Sequence, residues 1–432
     1  MVITVKNIID FIKNCTDCWH TANEVVNILN KNGFILLDEA DEWDITPGGS
    51  YCVMRNMSSV IAFRVPEKDC KSFMIAAAHG ESPSFKIKAK AELSDKNYIR
   101  LNTEPYGGMT LSSWFDRPLS VSGRIVAETD EGLKTHLVKL DRDSLIIPSL
   151  APHLDRDKKG VDVLRDTPPL YAMANTDADF MAEIAESAGV EKGKIKGFDL
   201  MLYNREEGRI WGRDNEFISA PRLDDLQCVY AVLQGFVNAK TTDAVQVYCM
   251  FDNEEVGSGT KQGAKSDFLA SVLHRISKGC GKSCTEHMCM LNSSFMVSAD
   301  NGHAIHPNRR EMSDCENYPE INGGIVIKYN ASQKYTTDAV SEAIFKKICE
   351  CAAVSYQYYA NRSDLPGGST LGNIATEKVS VNTVDIGLAQ LAMHSAYETA
   401  GTKDTESLIC AMTEFYNTSI ACRNGDYKIK KL

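Results

Sequence analysis

Apolar residues repeat along the chain with two different periods, and the changes between them divide the sequence. Residues 5–15 place Ile8, Ile9, Phe11 and Ile12 at helical spacing, and residues 21–32 do the same with Val25, Val26, Ile28 and Leu29. Thr21 with Glu24 fits a capping box for the second helix. Short β-rich apolar runs at 60–65, 73–78, 245–251, 294–297, 325–328 and 381–386 read as buried strands. Helical patterns at 267–276, 337–353 and 404–416 alternate with the later strands. Another helix opens at Pro221-Arg-Leu-Asp-Asp-Leu226, with Val229, Val232, Leu233 and Phe236 on its apolar face. Between 91 and 216 the pattern changes. Runs at 119–126 and 136–140 alternate apolar and polar residues as antiparallel strands do, interrupted by one helix at 177–188. The expectation is an α/β domain from 1–90 and 217–432, with a β-rich domain inserted at 91–216.

Composition narrows the setting. With 432 residues, two domains are expected, and 43% apolar with 24% charged residues is ordinary for a globular protein. A net charge of −11 argues against a nucleic-acid partner, and no stretch is long enough to span a membrane. Lys6, Asp10 and Lys13 interrupt the first apolar run, so it does not read as a signal peptide. Fourteen scattered cysteines fit free thiols in a reducing cytoplasm. Cys15 and Cys18 have redox or zinc spacing but lack a second pair. Cys280, Cys284, His287 and Cys289 are irregularly spaced, and both sets read as structural.

The ends of the strands hold the chemistry. Past 245–251 comes Glu254-Glu255, where one carboxylate can hold a metal while the other moves protons. Past 73–78 comes His79-Gly80-Glu81, and past 294–297 comes Ser298-Ala-Asp300-Asn-Gly-His303. Asp224 and Asp225 sit at a helix start, where an N-cap is the plain reading for one of them. Met393-His394-Ser395 follows the last strand. Borderline divalent metals take imidazole and carboxylate together, and two histidines with three carboxylates suffice for two ions if one carboxylate bridges.

Taken in order, H-G-E-S-P, S-S-W-F-D-R-P-L-S (112–120), P-R-L-D-D-L, D-N-E-E-V-G-S, S-A-D-N-G-H-A-I-H-P-N and Q-L-A-M-H-S (390–395) resemble the motifs of aspartyl aminopeptidases. These are peptidases with two co-catalytic metals, and the likeness covers nearly the whole chain. It implies a mixed-sheet α/β/α metallopeptidase domain with an inserted β-rich domain for dimerisation and oligomerisation. Asp224 would bridge two divalent ions, most simply Zn2+, with Mn2+ or Co2+ as alternatives. His79 and Asp300 would complete one site, Glu255 and His394 the other. Glu254 would be the general base, acting on a water held between the ions. The carboxylate two residues after His79, usually an aspartate in this family that orients that histidine or the neighbouring base, is here Glu81, after Gly80.

The resemblance further implies His303 as an oxyanion donor and Lys328 as the cation for an acidic N-terminal side chain. His153 matches a histidine that reaches a neighbouring subunit's site, within dimers assembled into a tetrahedral dodecamer. Against these stand plainer readings: a structural His303 and a solvated Lys328. The expected function is a metal-dependent aminopeptidase acting on short peptides with acidic N-termini. The alternatives are a weakly active or non-catalytic metal- and peptide-binding assembly protein of the same fold, and a two-metal amidohydrolase of acylated amino acids.

Overall fold

The computed structural model describes residues 5–154, 160–423 and 425–431. Nine strands form a central mixed sheet: β1 (Ile35–Leu37), β2 (Ser50–Arg55), β3 (Ser59–Arg64), β4 (Phe73–His79), β5 (Val245–Phe251), β6 (Phe295–Ala299), β7 (Ile325–Tyr329), β8 (Tyr356–Ala360) and β9 (Asn382–Gly387). Their spatial order is β1-β2-β3-β5-β4-β6-β9-β7-β8. At its centre β5, β4, β6 and β9 run parallel, so their carboxyl ends open on one edge.

Every residue of β4 and β5 is buried, because helices cover both faces. Along β4, Met74, Ala76 and Ala78 join one core while Phe73, Ile75 and Ala77 join the other. The first core takes helices Val5–Asn14, Cys18–Lys31, Leu223–Asn238, Ala339–Ala352 and Asp404–Tyr416; the second takes Phe268–Gly279. This is an α/β/α sandwich. No described helix is long and apolar enough to cross a membrane.

A six-stranded antiparallel sheet stands beside it, in the order Gly132–Lys139, Leu119–Thr129, Ile195–Asn204, Ser84–Ser94, Tyr98–Tyr106, Leu170–Met173. Helix Phe180–Ala188 closes its own core through Phe180 and Ile184. This sheet begins at Ser84, ahead of the change of pattern at 91, because Phe85 and Ile87 already alternate with lysines. Phe217–Ala220 pairs with Glu398–Gly401 in a separate five-stranded sheet that also holds Gly302–His303 and Ala389–Leu391.

The second helix starts earlier than the Thr21–Glu24 capping box suggests. Asp17 is its cap, accepting the N–H groups of Trp19 and His20, both at 2.9 Å. An aspartate satisfies two of the orphan donors of the first turn, and Thr21 is left inside the helix, bonded back to the Asp17 carbonyl.

Candidate active site

Adjacent parallel strands deliver side chains to one edge, and the site is built there. β4 ends in His79, β5 leads into the turn Glu254–Val256, and β6 leads into Asp300. Asp224 and Asp225 enter from the start of helix Leu223–Asn238, and their backbone angles are not helical there. Neither is the expected N-cap. Arg222 holds that position in a left-handed conformation, which frees both aspartates to point elsewhere.

Three sets of ligand-type atoms converge within 4.8 Å: His79, Asp224 and Asp300; Asp224, Glu255 and His394; and His79, Glu254 and Glu255. Asp224 belongs to two of them. Its Oδ1 lies 3.5 Å from His79 Nε2, and its Oδ2 lies 3.6 Å from His394 Nε2, which is also 3.3 Å from Glu255 Oε1. Each histidine is aimed by a main-chain carbonyl. His79 Nδ1 donates to Glu81 O at 3.1 Å, and His394 Nδ1 donates to Gly108 O at 2.5 Å. A carbonyl only accepts, so Nδ1 carries the proton on both rings and Nε2 faces Asp224.

The charges are crowded. Burial pushes the Glu254 carboxyl up to about 8, with Asp300, Glu81 and Asp224 adding to the effect and His79 opposing it. Burial likewise raises Glu255 and Asp300. Asp224 is held low despite its burial by the hydrogen bond and charge of His79 and by the charges of His394 and Lys328. Burial opposes a charge on His79, but its bonds to Asp224 and Glu81 prevail and hold its pKa well above the usual range. Apart from His79 Nε2 at 3.5 Å, the buried Asp224 Oδ1 has no hydrogen-bond partner among the described residues. A buried carboxylate with one oxygen toward each of two imidazoles, ringed by acids that resist ionising, is the donor set that divalent cations fit.

These residues line a cleft of about 400 Å3 together with His303, Lys328, Tyr335, Tyr359, Ser369 and Thr370. Lys328 is buried, not solvated. Its Nζ donates to Asn301 O at 2.8 Å and lies 3.6 Å from Asp300 Oδ1. His303 is exposed, not a core residue, and packs edge-on toward Tyr359. His153 is exposed on the six-stranded domain and does not line this cleft.

Glu81 sits behind the cleft. Its Oε1 accepts the Glu255 N–H at 3.0 Å, and its Oε2 is 3.7 Å from His79 Nδ1. A Cβ on Gly80 would lie 2.7 Å from Met250 Sδ, so this turn runs tight against β5. The other set of metal-type residues does not converge. Cys284 and Cys289 are exposed, and the His287 ring bonds Ser277 Oγ at 2.8 Å.

Sequence reading missed two contributors. Glu398, fully buried, accepts the Asp224 N–H on Oε2 at 2.9 Å and the His394 N–H on Oε1 at 2.8 Å. A lone glutamate in a short strand gives no sign of this. The second is the turn that follows strand Tyr98–Tyr106: beside the Gly108 carbonyl, the Thr110 N–H donates to His394 O at 2.9 Å.

Comparison with known proteins gives concordant matches. The profile of the family described as aminopeptidase I zinc metalloprotease (M18) matches residues 11–416. A Clostridium acetobutylicum protein named "Probable M18 family aminopeptidase 2" is 42% identical over 424 residues, covering 95% of this chain and 98% of that protein. Among solved structures, a chain of the Ape4 and Nbr1 complex is 33% identical with a TM-score of 0.92, covering 95% of this chain and 85% of that one. The dodecamer of S. cerevisiae mApe1 is 26% identical with a TM-score of 0.83, covering 95% of each chain.

Proposed function

The chain belongs to the aminopeptidase I zinc metalloprotease (M18) family, and from that premise we propose that this aminopeptidase removes acidic residues from the N-termini of short peptides with two metal ions. The observation that carries the reading is Asp224, common to two ligand triads that share no other side chain.

His79, Asp224 and Asp300 would hold one ion, and Asp224, Glu255 and His394 the other. Zn2+ fits imidazole with carboxylate, and Mn2+ or Co2+ could take its place. Bound there, the pair supplies Lewis acidity for the scissile carbonyl and acidity for the attacking water. Glu254, beside both triads, takes the proton from that water and hands it to the leaving amine. Its elevated pKa suits both halves of the transfer. His303, facing the cleft, donates to the oxygen that gains charge. Lys328 offers a buried ammonium in the cleft lining, the counter-charge for an Asp or Glu side chain. Glu81 holds the Glu255 backbone in place.

The six-stranded domain would serve assembly. The dodecamer of the yeast relative supports this, as does the exposed apolar run containing Leu150 and Leu154 beside His153. On this reading His153 acts in a neighbouring subunit's cleft. Buried free thiols are in keeping with a cytoplasmic location.

The test is release of free Asp or Glu from short peptides. It should be lost with chelator and restored by Zn2+, Mn2+ or Co2+. A Glu254→Gln enzyme should retain its metal and lose about 10²–10⁴-fold in kcat. Full rate with metal bound would refute the assigned base.

A further inference from the structure

β9 carries a charge where its neighbours are apolar. Val384 and Ile386 join the first core, and between them Asp385 is fully buried on the other face of the strand. A carboxylate in such a place is tolerated only when its oxygens are hydrogen-bonded. Its Oδ2 accepts the Thr336 N–H at 2.5 Å and the Thr336 hydroxyl at 2.7 Å, and its Oδ1 accepts the Thr370 hydroxyl at 2.7 Å. The Asp385 N–H in turn donates to Thr337 Oγ1 at 3.0 Å. Thr336 follows β7 and Thr370 follows β8, so one carboxylate binds the loops that leave two other strands.

The two loops also meet directly. Lys334 Nζ donates to Gly367 O at 2.8 Å, and a Cβ on Gly367 would lie 2.9 Å from Asn330 Nδ2. The start of helix Leu371–Ala375 presses on the same carboxylate, since a Cβ on Gly372 would lie 2.7 Å from Asp385 Oδ1. What the loops present to the cleft is Tyr335 from one, and Gly368, Ser369 and Thr370 from the other. The Tyr335 ring centroid stands 5.5 Å from Lys328 Nζ.

We infer that Asp385 is a positioning residue, a role that rests on the reading of this cleft as the peptide site. It locks the two loops into one wall beside Lys328 and so sets the width of the pocket that receives the substrate's N-terminal side chain. It acts through Thr336 and Thr370 and does not itself touch substrate. With the wall held, an acidic side chain meets Lys328 without first having to order two loops, a cost that would otherwise be drawn from binding. Loosening the wall should therefore weaken substrate binding and leave the chemical step, carried by Glu254 and the ligand triads, almost as it was.

The experiment compares the full-length, zinc-loaded protein with its Asp385→Ala and Asp385→Asn variants. Hydrogen exchange is followed by mass spectrometry, and hydrolysis of N-terminal Glu and Leu peptides is measured at known metal content. Asp385→Ala should speed exchange of segments 330–337 and 361–371 together by about tenfold. It should raise KM for the Glu peptide by about 10–10²-fold with kcat within about threefold, and narrow the preference for Glu over Leu. Asp385→Asn should restore all of these, because its amide oxygen still accepts from Thr336 and its amide nitrogen donates to the Thr370 hydroxyl. Should Asp385→Ala not fold, Thr370→Val removes one hydroxyl bond at nearly constant shape and should move exchange and KM in the same direction. Unchanged exchange in either loop, or a loss of kcat at constant KM, would overturn the proposal. A parent protein that releases no amino acid would instead refute the aminopeptidase reading, and the exchange comparison would still decide the role of Asp385.

Discussion

The main-chain N–H of Asp224 donates to Glu398 Oε2 at 2.9 Å, beneath the point where two ligand triads meet. Glu398 also accepts the His394 N–H, so one carboxyl fixes the backbone of two members of the triad Asp224, Glu255 and His394. A glutamine at this position keeps the shape but turns one of the two acceptors into a donor facing an N–H. Glu398→Gln should therefore weaken metal retention by roughly 10–100-fold, the usual cost of losing an outer-shell partner. Competition for zinc with a chromophoric chelator reads this directly.

Glu81 reaches the Glu255 N–H by virtue of its length. Shortening it to aspartate withdraws that acceptor and leaves a buried donor unpaired. Glu81→Asp should lower kcat/KM by about tenfold, in line with the loss of a hydrogen bond to a charged group. A gain in rate would instead favour a weakly active parent enzyme. Steady-state kinetics at measured metal content separate the two.

Metal binding should be strongly linked to pH. Folding raises Glu254 from 4.5 to about 8, and it raises Glu255 and Asp300 as well. A carboxyl whose folded pKa exceeds its unfolded value contributes stability below the unfolded pKa and loses it as pH rises through the folded one. Stripped of metal, the protein should become less stable as pH climbs from 4.5 to about 8. Zinc must displace the same protons, so its affinity should rise across that window. The Tm gained on adding zinc should grow with pH, and calorimetry in buffers of different ionisation enthalpy should register proton release.

Lys328 should set preference more than rate. Lys328→Met should lower kcat/KM for N-terminal Glu by about 10–10²-fold, the range of a charge-assisted hydrogen bond, and change that for N-terminal Leu far less. Equal losses on both substrates would assign Lys328 to support of Asp300 alone, its partner at 3.6 Å.

The sequence determined the strands, and with them the ends at which chemistry could sit. Apolar runs such as 73–78 and 245–251 have no polar face to offer water, so they had to lie between two layers of helices. His79, Glu254, Glu255 and Asp300 follow such runs directly and were legible for that reason.

What only the tertiary structure decided is how residues from distant segments meet. From the pattern alone an N-cap was the plain reading for one of Asp224 and Asp225, and only the fold turns Asp224 toward two imidazoles. Glu398 and Gly108 had no legible role, because their contribution is a carboxyl or a carbonyl aimed at another segment's N–H or ring nitrogen. Periodicity records which face of an element is buried. Only folding fixes which neighbour it is buried against.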